Sequence, residues 1–156
     1  MLSKKSKYAL KALVALAKEY ERGPILISQI AEAERIPKKF LEAILLGLRK
    51  TGILGSKMGA GGGYYMIKSP SEVMISNVIR LTDGPIALVP CASLNFYEAC
   101  GECADEATCS VRSIAKEVRD VSLNILSNTS IADLINREQQ LKKTAHKSDR
   151  KKGRKK

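Results

Sequence analysis

Apolar residues recur at Leu10, Leu13, Val14 and Ala17, the i, i+3, i+4, i+7 spacing of one helix face. Ser6 is placed to cap this helix, and Gly23-Pro24 stops it. A short second helix is expected from near Ser28 through Ala33, followed by a turn at Glu34-Arg35-Ile36. Pro37 suits the first turn of a third helix, where its missing N–H would have no partner. That helix is expected to bury Phe40, Leu41, Ile44, Leu45 and Leu48. It should end at Thr51-Gly52, with Gly52 in the left-handed position past the terminus.

The periodicity then changes. Residues 53–58 and 64–67 read as two short strands around the glycine-rich run Gly59-Ala60-Gly61-Gly62-Gly63, a β-hairpin. Ser76 is placed to cap a short helix through Val78, Ile79 and Leu81, which Asp83-Gly84-Pro85 ends. A long helix is expected from about Ser110 to Leu126. Its Val111, Ala115, Val118, Ser122 and Ile125 are spaced 4, 3, 4, 3, a heptad seam that Ile114 and Val121 widen. Asn128-Thr129-Ser130 breaks it, and a last helix runs from Ile131 to Leu141.

The expected fold is therefore mainly α with a small β-hairpin wing: a winged helix-turn-helix followed by a long dimerisation helix. The expected divisions are a winged domain at 1–82, a cysteine-rich sensing loop at 83–109, the dimerisation and C-terminal helices at 110–141, and a disordered basic tail at 142–156. No internal repeat is present.

Composition sharpens this picture. With 156 residues and 44 % apolar content the chain can form one core, and disorder is not the default. No run of 18 apolar residues occurs, and Lys11, Lys18 and Glu19 interrupt the N-terminal segment, so it does not read as a signal peptide. A cytoplasmic location and no membrane partner are expected. The net charge is +11, of which residues 142–156 carry +8 through nine basic side chains and one acid. Such a run is usually a solvated tail, and it can add sequence-independent attraction to phosphates.

In a helix-turn-helix the last helix enters the major groove, and residues near its N-terminus reach base edges. Here those are Lys38, Lys39, Glu42 and Ala43, with Ser28 opening the helix before it. Lysine can contact guanine or phosphate, and glutamate can accept from cytosine N4. The same residues would also make an ordinary solvated helix face. The glycines permit positive φ and close approach to a sugar-phosphate chain, so Gly59, Gly61, Gly62, Gly63 and Tyr64 are candidate backbone contacts and Lys57 a minor-groove contact. A nucleotide-binding glycine loop is the rival, but no helix and no Gly-Lys-Ser/Thr follows.

Several of these motifs resemble the IscR/NsrR/CymR family of bacterial transcription regulators. The matching segments are Tyr8-Ala9-Leu10-Lys11-Ala12-Leu13, Phe40-Leu41-Glu42, Leu48-Arg49-Lys50-Thr51-Gly52 and Gly59-Ala60-Gly61-Gly62-Gly63-Tyr64. They continue through Ile75-Ser76-Asn77-Val78-Ile79, Asp83-Gly84-Pro85 and Thr129-Ser130-Ile131-Ala132-Asp133-Leu134. The resemblance covers about residues 1–141. It implies a homodimer that binds a palindromic operator in double-stranded DNA, with a winged helix, a long dimerisation helix and a sensing loop between them. It places the family's base-reading glutamate at Glu42. Met58 stands where many members have arginine, and Ala60 where they have proline; Lys57 is the residue that could substitute in the minor groove.

All four cysteines fall in one window, as Cys91-x8-Cys100-x2-Cys103-x5-Cys109. Clustered cysteines in a cytosolic chain favour metal or redox chemistry over structural disulfides. Thiolates suit zinc or an iron–sulfur cluster. The resemblance favours a cluster, 2Fe-2S or 4Fe-4S, held by Cys91, Cys109 and one of Cys100 and Cys103. Arg112 stands where one branch has a ligating histidine, and Lys7 where another has an aspartate, which leaves the spare cysteine as fourth ligand. Zinc and a metal-free thiol switch stay open. Glu98, Glu102, Asp105 and Glu106 should raise the thiol pKa values and disfavour a free reactive thiol. A thiol oxidoreductase using Cys100-Gly101-Glu102-Cys103 would need a βαβ context that the pattern lacks. No Ser/His/Asp or paired-carboxylate constellation is present, so no enzyme is expected. An RNA-binding or scaffold role would rest on the basic tail alone.

Overall fold

The structure is a computed structural model that describes residues 2–153, with side chains to residue 145. In chain order it comprises α1 (Lys4–Lys18), α2 (Ile27–Glu34), α3 (Lys38–Lys50), β1 (Leu54–Lys57), β2 (Gly63–Met66), α4 (Ile75–Asp83), a 3-10 turn (Pro90–Ala92), α5 (Ser110–Ser127) and α6 (Ile131–Gly153).

The first helix begins earlier than its apolar pattern indicates. Ser3, and not Ser6, is its cap: the Ser3 hydroxyl accepts from the Ser6 N–H at 3.1 Å. Ser6 is instead fully buried and hydrogen-bonds Thr82 of α4. Asp83 accepts from the Ser3 N–H at 3.0 Å and from its hydroxyl, so α1 starts clamped to the end of α4. Ser76 is likewise no cap. It is buried, and Met74 holds the cap position of α4. In both cases a serine in the first turn of a helix is buried, and Ser6 is drawn into the packing between α1 and α4.

α1, α2 and α3 surround a core of Ala9, Leu13, Leu16, Ile30, Leu41, Leu45 and Leu48, each at most 2 % exposed. Arg35 closes α2 in the left-handed conformation (φ 53°), making the tight turn into α3. Phe40, expected in the core, is 42 % exposed and packs edge-on against Tyr8, with ring centroids 5.7 Å apart. It falls between the buried positions Leu41, Ile44, Leu45 and Leu48 and the solvent face.

β1 and β2 pair antiparallel, Leu54 opposite Met66 and Lys57 opposite Gly63. Ile25, just before α2, adds a further bridge to the wing. It exchanges backbone hydrogen bonds with Tyr64 at 2.8 and 2.9 Å. Farther along, the start of α6 pairs with the segment before α4. Ile75 N–H donates to Thr129 and Ile131 N–H to Val73, at 2.9 and 3.0 Å. Ser130 and Asp133 cap α6 reciprocally, and Leu134 and Ile135 pack on the core.

The basic segment 142–156, expected to be disordered from its first residue, instead continues α6 to Gly153; residues 154–156 lie outside those described. Between Glu138 and Ala145 the chain holds strong helix formers without Gly or Pro, and Glu138 pairs with Lys142 one turn on.

Candidate nucleic-acid interface and cysteine site

α3 is the amphipathic third helix of the trihelical unit. Its buried residues, Leu41, Ile44, Leu45 and Leu48, hold it on α1 and α2, which leaves Lys38, Lys39, Glu42 and Ala43 exposed together along its first turns. Ser28, on the first turn of α2, is also exposed. Arg49, near the end of α3, donates to the Ser56 hydroxyl of β1 at 3.1 Å, tying the helix to the wing. Neither that link nor the Ile25 bridge was legible in the sequence, because both join residues whose local patterns are ordinary.

In the wing the glycines divide by role. Lys57, Met58, Gly59 and Gly61 are exposed at the tip. A Cβ on Gly61 (φ +74°) would meet nothing within 4 Å. Gly62 is folded beneath the tip, where a Cβ would lie 2.4 Å from the Lys57 carbonyl. On Gly63 (φ +146°) a Cβ would fall 2.2 Å from the Ile25 carbonyl. Gly62 and Gly63 are thus required by the protein's own backbone, and the space left for another molecule is at Gly59 and Gly61. Tyr64 is half-buried against the core.

The cysteine window runs from the 3-10 turn to the head of α5. Cys109 caps α5, its sulfur accepting from the Arg112 N–H at 3.4 Å, and the Cys103 thiol donates to it at 3.8 Å. The Cys103 N–H donates to the Cys100 carbonyl at 3.3 Å. Hydrogen bonding to Cys100 and Cys109 favours the protonated form of the Cys103 thiol and pushes it up to about 12. The Arg112 N–H, with Cys103, holds Cys109 below its ordinary value. The acidic neighbours therefore do not raise every thiol. Glu106 is the one engaged here: the Tyr97 hydroxyl at 2.8 Å and the Cys100 N–H at 3.2 Å hold its carboxyl low, and Arg112 pairs with it at 3.4 Å. A thiolate at the head of an 18-residue helix also gains from the helix dipole.

Cys91 is buried in the 3-10 turn. Two arginines of α5 grip that turn: Arg112 Nε donates to the Cys91 carbonyl at 3.1 Å, and Arg119, only 9 % exposed, donates to the Ala92 carbonyl. Seven residues apart, they project from the same side of α5. The donor set is chemically suited to a thiolate-ligated metal group. Its positions are not yet convergent: among the described residues no three His, Cys, Asp or Glu side chains surround one metal position.

The seam on α5 also differs from the expected one. Ala115 is 2 % exposed and packs within the chain. The stripe left facing outward is Val111, Ile114, Val118, Val121 and Ile125, between 40 and 63 % exposed and spaced 3, 4, 3, 4. Among the described residues, no helix is long and apolar enough to cross a membrane.

The model of the Rrf2 family, an iron-dependent transcriptional regulator, matches residues 2–137. An rrf2-like HTH-type transcriptional regulator of Rhodobacter capsulatus is 43 % identical over 138 residues, covering 86 % of this chain and 92 % of that protein. The HTH-type transcriptional regulator IscR of Escherichia coli is 28 % identical over 140 residues, 90 % of this chain and 83 % of that one. Among solved structures, CymR, the global cysteine regulator of B. subtilis, superposes with a TM-score of 0.72 at 28 % identity, covering 87 % of this chain and 96 % of that one. IscR of T. potens gives 0.70 at 25 % identity and covers 90 % of each chain. With the winged helix, the wing and the long helix all in place, the chain belongs to the Rrf2 family of DNA-binding transcription regulators and is not an enzyme.

Proposed function

We propose that the chain works as a homodimer that binds a palindromic operator and responds to the state of its cysteine loop. The observation that carries this reading is a physical connection. The Cys103 and Cys109 thiols meet at the head of α5, Arg112 and Arg119 of α5 hold the turn bearing Cys91, and the same helix presents the exposed valine and isoleucine stripe. A change at the thiols would be felt along the helix that joins two protomers. The spacing of two recognition helices across a dimer decides whether both half-sites are met at once.

In this reading Glu42 reads a base edge, Lys38 and Lys39 contact guanine or phosphate, and Ser28 and the backbone at Gly59 and Gly61 meet the sugar-phosphate chain. Lys57 follows the minor groove. Gly62, Gly63 and Tyr64 shape the wing. Cys91, Cys100, Cys103 and Cys109 would hold an iron–sulfur cluster, 2Fe-2S or 4Fe-4S, with zinc as the alternative. When bound, the cluster supplies a centre sensitive to redox, iron or nitric oxide state. Arg112 and Arg119 orient the Cys91 turn, and the Arg112 N–H steadies the Cys109 thiolate. The loop closes as its ligands converge, which couples binding to ordering.

A second reading, a thiol switch without metal, draws on the 3.8 Å approach of Cys103 to Cys109. Anaerobic reconstitution of the four single cysteine-to-alanine variants, with iron counted per chain, separates the readings. Cys91→Ala and Cys109→Ala should lose the iron, and full loading in either refutes the ligand assignment. Stoichiometric zinc without iron turns the reading to zinc. No metal, with a disulfide formed reversibly on oxidation, turns it to the thiol switch.

A further inference from the structure

α6 is longer than the fold it belongs to. Leu134 and Ile135 pack on the core, and Lys18 of α1 holds Glu138 at 2.7 Å. From Gln139 to Ala145 every residue is exposed, so the helix leaves the domain after Glu138. At about 1.5 Å per residue it reaches roughly 22 Å further, to Gly153. The family match ends at residue 137, before this extension begins. Residues 142–156 hold eight of the chain's eleven net positive charges, and the rest of the chain carries only +3.

We propose that this extension is a second, sequence-independent DNA arm that grips phosphates beside the site held by the winged helix. The inference rests on the reading of the chain as a DNA-binding regulator. Lys143, Lys147 and Arg150 stand at i, i+4 and i+7, a spacing that places basic residues on one face of a helix. Duplex DNA carries about one negative charge per 1.7 Å of axis and releases counterions when cations replace them. A helix that lies on a lipid surface needs an apolar face, and residues 142–156 contain no apolar side chain larger than Ala145. The Lys18–Glu138 pair and the buried base of α6 carry the arm on the same rigid body as the recognition helix. Its contacts are therefore made at high local concentration once the domain has docked.

The test compares the full-length chain with a variant carrying Lys143→Gln, Lys147→Gln and Arg150→Gln, and with a charge-preserving one carrying Lys143→Arg, Lys147→Arg and Arg150→Lys. Affinity for a short mixed-sequence duplex is measured across a salt series. The glutamine variant should show a shallower slope of log K against log salt, by about 0.9 for each phosphate no longer neutralised and roughly 2–3 per chain. The charge-preserving variant should match the parent. An unchanged slope, or equal impairment of both variants, overturns the proposal. So does loss of binding to phosphatidylserine vesicles or to single-stranded RNA with the duplex slope intact, which would assign the arm to those partners. If the parent prefers no duplex sequence, the operator reading fails, while the slope difference on mixed-sequence DNA still decides the arm.

Discussion

Val121→Glu is the perturbation that bears most directly on the proposed dimer. Val121 lies in the middle of the outward stripe of α5 and is 62 % exposed. Val118, its neighbour in the stripe, also lines a cavity of about 510 Å³ between α1, α4 and α5, so a charge there would disturb the fold as well as the seam. Full burial of a valine is worth about 1.5–3 kcal/mol, so covering the exposed part of Val121 contributes about 1–2 kcal/mol. Two-fold symmetry doubles the loss to about 2–4 kcal/mol. A carboxylate left without a partner in the seam adds at least about 1–3 kcal/mol per protomer. The sum is on the order of 4–10 kcal/mol, a weakening of a thousandfold or more. Sedimentation equilibrium should then find monomers where the parent is dimeric. Circular dichroism and the thermal midpoint should stay close to the parent, because the side chain faces outward. Operator affinity should fall with the dimer. A Val121→Glu protein that remains dimeric at the same concentration would refute the placement of the interface on this stripe.

Other outcomes follow from single contacts. Glu42→Ala should relax preference at one base per half-site by about 1–3 kcal/mol, while Lys57→Ala weakens binding to all duplexes alike; competition binding with point-substituted operators separates the two. Gly63→Ala should cost about 1–3 kcal/mol from backbone conformation alone, and more from the clash with Ile25, whereas Gly61→Ala should cost about 1–2 kcal/mol without loosening the wing; urea denaturation ranks them. Ser130→Ala removes the cap of α6 and should destabilise by about 1 kcal/mol at neutral pH. The Ser130 hydroxyl and N–H hold Asp133 below its ordinary 3.8, so the stabilisation is present above that value. It fades as pH falls through the folded pKa, and the gap between parent and variant should narrow there in urea titrations.

Which of these features can be read from sequence depends on the range of the interaction that makes them. The helices around Leu13, Leu41 and Ile125, the hairpin, and the stop at Asp83-Gly84-Pro85 are written locally, because helix and strand periods place apolar side chains on one face whatever the partner. The exposed character of Lys38, Lys39 and Glu42 follows from the same periodicity, and the clustering of the cysteines from simple spacing. Tertiary structure decided what lies against what. Ser6 looks like a cap until α1 meets α4 and buries it, and Ser76 is likewise buried. Ala115 looks like seam until α5 turns it inward, which moves the outward stripe to Ile114 and Val121. Gly63 looks open to a ligand until Ile25 folds beside the wing, and Gly62 until the tip turns back over it. Arg112 and Arg119 are ordinary helix residues until the Cys91 turn presents its carbonyls to them. The corrections at Ser6, Gly63, Arg112 and Arg119 come from contacts between residues far apart in the chain, where burial and hydrogen bonding override the local preference of the residue.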